Sequence, residues 1–319
     1  MSFSQRLTTH TSILPYSMNF APIALFVYNR LSHVQKTIDA LQKNIGASSS
    51  KLYIFSDGFK SDDDSFKVNK VRNFLKTVTG FHSIEIIERQ KNLGLASSII
   101  AGVTEIVNKS GRIIVLEDDL VSSPYFLKYM NEGLDQYESD DKVASIHGYV
   151  YPVEDDLPAA FFLRGADCWG WATWKRGWDL FNPSGLELLS ELNNKKLAEL
   201  FDFNGSYPFT KMLEDQIEGK NNSWAIRWNA SVFLKDKLTL YPGKSLVSNI
   251  GNDGSGTHSS AVTNIWDASL SVSPVNVFVN PVEDSTQGRL AFERYFRRIS
   301  PNLFGRIIRY VKRKINFIQ

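Results

Sequence analysis

What most constrains this chain is the alternation, through its first 150 residues, of short apolar runs with helical stretches. Ile23 to Tyr28 is an apolar run of strand length, and Ser32 caps a helical pattern that continues to about Asn44. A second run, Lys51 to Ser56, leads into a polar loop with Asp62, Asp63 and Asp64, after which Phe66 to Thr77 shows helical spacing. Ser83 to Glu88 reads as the third strand and Ala96 to Asn108 as a helix, with a turn at Gly111. The fourth strand, Arg112 to Leu116, runs straight into Glu117, Asp118 and Asp119. A helix from Pro124 to about Glu138 and a strand from Val143 to His147 follow. Such alternation implies an α/β fold, a Rossmann-like and mostly parallel sheet with helices on both faces.

Past residue 150 the pattern changes. Four of the seven tryptophans fall in Cys168 to Trp178, CWGWATWKRGW. Glu187 to Phe201 and Tyr207 to Glu218 read as helices, Trp224 to Trp228 as a strand, and Gly251 to Ser260 as a polar loop. The expected organisation is a loose leader over 1–20, one half of a domain over 21–150, its elaborated other half over 151–285, and a tail over 286–319.

The tail stands out by charge. From Arg289 onward nine Lys or Arg face one acid, Glu293, whereas the preceding residues hold 27 basic and 33 acidic groups. From Phe304 the apolar residues recur at helical spacing between arginines and lysines, a pattern suited to an anionic membrane surface. A helix packed on the body or a dimer contact fits the same spacing. Nothing else in the chain resembles a nucleic-acid-binding signature, so no nucleic-acid partner is expected. No apolar run is long enough to span a bilayer. The single cysteine, Cys168, forms no internal disulfide, which is compatible with a reducing compartment and a cytoplasmic location, peripheral on the membrane's inner face through the tail.

Ligands of open parallel sheets bind beyond the carboxyl ends of the strands. Glu117, Asp118 and Asp119 stand at such an end, and three adjacent carboxylates repel one another unless a cation or hydrogen-bond donors compensate. A hard divalent ion, Mn2+ or Mg2+, bridging to a diphosphate would do so. The alternative is a solvated acidic turn.

Glu117-Asp118-Asp119, followed by Leu120, Pro124, Phe126 and Tyr129, resembles the acidic motif of the N-acetylglucosaminyltransferase I family, which has the GT-A fold and is related to the inverting family 2 glycosyltransferases. The resemblance implies that Asp119 binds the metal while Glu117 and Asp118 contact the donor. PIALFVYNR, Pro22 to Arg30, is similar to the family's first strand, which implies that Arg30 lies at the nucleotide. Ser56-Asp57-Gly58 resembles the second strand end, where Asp57 would read uracil, and Asn92 and Gly94 match the nucleotide-side segment before the next helix. Asp57-Gly58 is also an ordinary turn dipeptide.

Sugar transfer to a hydroxyl needs a general base apart from the metal carboxylates. Asp215, with Glu214 beside it in TKMLEDQIEG, is the candidate, and an exposed acid pair is the alternative. The tryptophan-rich segment suits either a sugar-lining wall or a buried cluster, with Asp167 and Asp179 as further acceptor contacts. His258, in the glycine-containing loop, matches either a lid residue or a metal ligand of GT-A enzymes. The expected activity is metal-dependent transfer from a nucleotide diphosphate sugar, a UDP-sugar, to a glycan or lipid-linked acceptor. A sugar-phosphate nucleotidyltransferase and an inactive glycan-binding scaffold are the competing readings.

Overall fold

The computed structural model describes residues 20–253 and 265–299. Its elements run β1 (Ile23–Val27), α1 (Leu31–Gln42), β2 (Lys51–Ser56), α2 (Asp62–Leu75), β3 (Ser83–Glu88), α3 (Leu95–Ser110), β4 (Arg112–Glu117), β5 (Leu120–Ser122), α4 (Phe126–Gln136) and β6 (Val143–His147). They continue with β7 (Ala160–Arg164), β8 (Trp171–Trp174), α5 (Lys175–Trp178), α6 (Gly185–Asn194), α7 (Ala198–Phe201), α8 (Phe209–Ile217), α9 (Trp224–Leu234), β9 (Leu238–Pro242), β10 (Val247–Asn249) and α10 (Thr286–Ile299).

Eight strands form one sheet in the order β3-β2-β1-β4-β8-β6-β9-β7. The first four are mutually parallel, and β8 and β7 run antiparallel to their neighbours. Every residue of β1 is buried, because both faces of the sheet are covered. Ile23, Leu25 and Val27 pack with α1 and α4, while Ala24 and Phe26 pack with α3 and α9. The α/β expectation therefore holds, and so do the five strands read from the first 150 residues.

Several boundaries differ from expectation. Helix α2 begins at Asp62, so the three aspartates occupy its first turn and not a loop; Ser61 accepts from the Asp64 N–H, and acids favour a helix N-terminus. Helix α1 starts two residues early, with Arg30 and not Ser32 at its N-cap, since the Arg30 side chain is drawn into the acidic strand end described below. The helix expected over Glu187 to Phe201 is two helices, broken where Lys196 takes a positive φ of 56°.

Trp224 to Trp228 is helical and not a strand. Ser223 caps it through the Ile226 N–H at 3.2 Å, and Trp224, Trp228 and Val232 at i, i+4 and i+8 face one apolar cluster. The tail also departs from expectation at its start. In α10, Phe292, Tyr295 and Phe296 are buried against Phe161, Leu163 and Tyr241, and Arg294 and Arg298 pair with Asp155 and Glu154. This stretch is a helix packed on the body, while Phe304 to Lys314 lie outside the described residues.

Candidate active site

The site grows from two neighbouring parallel strands. Phe26 of β1 pairs with Glu117 of β4, so the residues after β1 emerge beside the acidic triplet. Arg30 Nη2 reaches Asp119 Oδ2 at 2.7 Å and also bonds Asp118. Asp118 is further held by the Tyr28 N–H at 3.3 Å, and its carbonyl accepts from the buried Thr37 hydroxyl at 2.8 Å. Tyr28 and Thr37 are positioning residues that the sequence reading missed, because nothing local marks them.

Burial, reinforced by the charges of Asp119 and Asp118, pushes the Glu117 carboxyl up to about 8 despite the opposing pull of Arg30. Asp118 is pushed up to about 6 by burial, with Arg30 opposing. Burial works against the charge of Arg30, yet the two aspartates outweigh it and hold the guanidinium charged. One guanidinium against three carboxylates still leaves surplus negative charge. Arg30 thus supplies part of the compensation that the sequence required from a cation or hydrogen-bond donors. Its Nη1 is buried without a partner, an expensive state that an incoming anionic oxygen would relieve.

Hard oxygen donors with surplus charge fit Mn2+ or Mg2+, with Asp119 the natural ligand. Among the described residues no three metal-binding side chains converge, so a cation here would draw its other ligands from diphosphate and water.

At the end of β2, buried Asp57 accepts from the N–H groups of Gly58 at 2.9 Å, Leu93 at 3.0 Å and Gly94 at 3.0 Å. Asn92 Nδ2 donates to the Gly58 carbonyl at 2.7 Å. Asp57, Asn92 and Gly94, three separate sequence candidates, thus form one cradle. Most of the Asp57 acceptor capacity organises that cradle. Gly94 sits at φ 75° with open space where a Cβ would be, so its backbone conformation is what calls for glycine.

A late segment closes onto the triplet. Strand β10 pairs antiparallel with β5, and Ile250 N–H donates to the Asp119 carbonyl at 2.9 Å. A Cβ at Gly251 would stand 2.2 Å from Asp119 Oδ2, so only glycine fits there. His33 Nε2 and Asp253 Oδ2 stand 3.2 Å apart, tying the segment to α1. His258 lies outside the described residues.

The acceptor half is arranged less directly. Asp215 lies on α8, 2.8 Å from Lys211, and Glu214 is 3.4 Å from the same amine. The Lys211 hydrogen bond, aided by Lys220, holds the partly exposed Asp215 carboxyl below its usual range. No hydrogen bond or ion pair joins either acid to the triplet among the described residues. The backbone nevertheless leads towards the site. Trp224, at the start of α9, stacks on Trp171 at 5.5 Å, and Trp171 pairs with Val115 two residues before Glu117. The turn that leads into that helix start is closed by the Lys220 and Asn221 N–H groups, which donate to the Asp215 carbonyl.

Trp171, Trp174 and Trp178 are buried and structural; Trp169 alone of the four in that segment is partly exposed. Asp179 pairs with Lys175 past the far end of β8, away from the triplet.

Residues 23–179 match the model of glycosyl transferase family 2, a span that runs from β1 through the triplet to the end of α5. This region is a GT-A glycosyltransferase domain. No curated protein gives a significant sequence match. Among solved structures, the mannosyltransferase PcManGT from Pyrobaculum calidifontis, in complex with GDP-Man and Mn2+, aligns at 12% identity and TM-score 0.31, over 42% of this chain and 37% of that one. TarS of S. aureus aligns at 15% identity and TM-score 0.30, over 46% of this chain and 24% of TarS. The alignments therefore span well under half the length of either protein. No helix among the described residues is long and apolar enough to cross a membrane.

Proposed function

We propose that the protein is a metal-dependent, inverting glycosyltransferase that moves a sugar from a UDP-sugar to a glycan or lipid-linked acceptor in surface polysaccharide assembly. The observation that carries this reading is the buried acidic strand end, bridged by Arg30 within a family 2 domain. Asp119 holds Mn2+ or Mg2+, which when bound stabilises charge on the departing diphosphate. Glu117 and Asp118 fix the donor sugar and ribose, and the surplus charge around them favours a site closed only when metal and diphosphate arrive together. Arg30 orients the two aspartates and offers its unpartnered Nη1 to a phosphate oxygen. The cradle of Asp57, Asn92 and Gly94 receives the base.

Asp215, with Glu214 behind it, takes the proton from the attacking hydroxyl once its lysine pairs open. His258 serves the bound donor, as a lid residue or as a further ligand of the metal. Residues 304–314 rest on an anionic inner membrane surface, bringing the enzyme to a lipid-linked substrate. A thermal-shift screen of nucleotides with and without Mn2+ tests the donor half. Metal-dependent stabilisation by UDP is expected; no shift with any nucleotide would favour a glycan-binding scaffold instead.

A further inference from the structure

Beside the acidic triplet the fold gathers a second cluster that the donor chemistry leaves unused. Tyr151, Trp169, Tyr207 and Trp266 are each only partly buried. Trp266 meets Tyr151 at 5.8 Å, Trp169 at 6.3 Å and Tyr207 at 6.4 Å between ring centroids. Buried Tyr149 packs on Trp169 at 4.7 Å, and its hydroxyl donates to the Trp266 carbonyl at 2.8 Å.

One carboxylate stands among these rings. Asp167 accepts from the Tyr151 hydroxyl at 3.1 Å and the Cys168 N–H at 2.8 Å. Behind it, the fully buried His147 accepts the Trp169 N–H on Nε2 at 3.1 Å, which leaves the proton of its neutral ring on Nδ1. That Nδ1 has no hydrogen-bond partner and lies 4.0 Å from Asp167 Oδ2. Asp167 is thus held from several sides while 22% of its side chain stays open.

The cluster adjoins the donor carboxylates. Strand β8 pairs with β4 through Trp171 and Val115, and continuing that antiparallel register leads Asp167 to Trp169 alongside Glu117 to Asp119. Burial and then the charges of Asp167, Glu117 and Asp119 push the Cys168 thiol up, as expected of a group close to both sets of carboxylates.

We propose that Tyr151, Trp169, Tyr207, Trp266 and Asp167 form the acceptor subsite, and that it takes a neutral pyranoside and rejects an acidic one. This inference rests on the glycosyl-transfer reading above. Indole and phenol faces suit the C–H face of a pyranose ring, and a fixed carboxylate accepts from its hydroxyls. Asp167 with Asp118 and Asp119, against Arg30, makes a field that repels a uronate or sugar phosphate.

The test titrates the whole protein, by tryptophan fluorescence and saturation-transfer NMR, with the methyl glycosides of glucose, N-acetylglucosamine and glucuronic acid. At least one neutral glycoside should saturate, with the glucuronide bound about tenfold more weakly, equivalent to ~1.4 kcal/mol. Asp167→Asn should weaken neutral binding and shrink the neutral-to-acid ratio to about twofold. Trp266→Phe should keep measurable binding that Trp266→Ala loses. Both Asp167→Asn and Trp266→Phe should retain the UDP–Mn2+ thermal shift, which reports the fold and the donor site. Equal binding of glucuronide and glucoside, an unchanged ratio in Asp167→Asn, or no neutral glycoside bound would each overturn the subsite. Absence of the UDP–Mn2+ shift in the unmodified protein would instead overturn the glycosyl-transfer reading.

Discussion

The two halves of the sheet are built on different physical terms. In the β1–β4 half, parallel strands alternate with helices, and the candidate site residues sit at successive strand ends: Arg30 after β1, Asp57 after β2, Asn92 and Gly94 after β3, and the triplet after β4. Each group is carried to its place by backbone regularity. In the β6–β9 half the strands are mixed in direction, and long-range aromatic packing does the positioning. Trp171 of β8 meets Trp224 and Trp228 of α9, and α10 returns from far along the chain to pack Phe292 on Phe161 of β7 and Tyr241 of β9. Chemistry concentrated in one half and packing in the other predicts that mutations should separate activity from stability by location.

The largest effect should come from Asp119→Ala, which should lower transfer by about a thousandfold, some 4 kcal/mol, and remove the metal dependence of the UDP shift. Its melting temperature without ligand should stay near that of the parent, because the variant relieves repulsion among the carboxylates. Full activity in Asp119→Ala would break the division at its strongest point. In the other half, Phe296→Ala should cost about 3 kcal/mol in a denaturant titration, the price of a cavity among packed rings. The nucleotide-induced shift should survive in the folded fraction; its loss would show that the two halves are energetically one.

Asp215→Asn should lower kcat about a hundredfold with donor binding unchanged. A smaller loss than that of Asp167→Asn would move the base from α8 to the loop before β8. The smallest effect concerns His147. Burial lowers its pKa below 6.5, with the charge of Asp167 opposing. The unfolded chain therefore binds a proton that the native state resists, so this contribution is complete above about pH 6.5 and is lost as the pH falls below it. Urea midpoints between pH 5 and 7.5 should show a slope of at most about 1.4 kcal/mol per pH unit from this group, and His147→Gln should flatten it. An identical slope in the variant would show that His147 is already charged in the folded protein.

The readable parts of the sequence share a cause. Strands buried on both faces must be continuous apolar runs, and α/β order puts ligand groups at their ends, so Glu117 to Asp119, Arg30 and the Asp57 turn could be picked out locally. The misreadings share another. Trp224 to Trp228 looks extended until its contacts with Trp171 and Trp178 show that one helical face buries both rings. Strands β5 and β7 to β10 were not anticipated, since mixed pairing depends on partners distant in the chain. The same holds for α10, whose Arg294 and Arg298 find their partners, Asp155 and Glu154, 139 and 144 residues away.

By itself the sequence determined the α/β class and the acidic strand end, because these follow from local patterning and from charge repulsion that no nearby residue offsets. Only the tertiary structure decided that Arg30 answers two of the three carboxylates, that Gly251 must be small because Asp119 lies against it, and that Asp167, His147 and Trp266 meet. Each is a contact between segments far apart in the chain, whose free energy depends on geometry and burial that no local window contains.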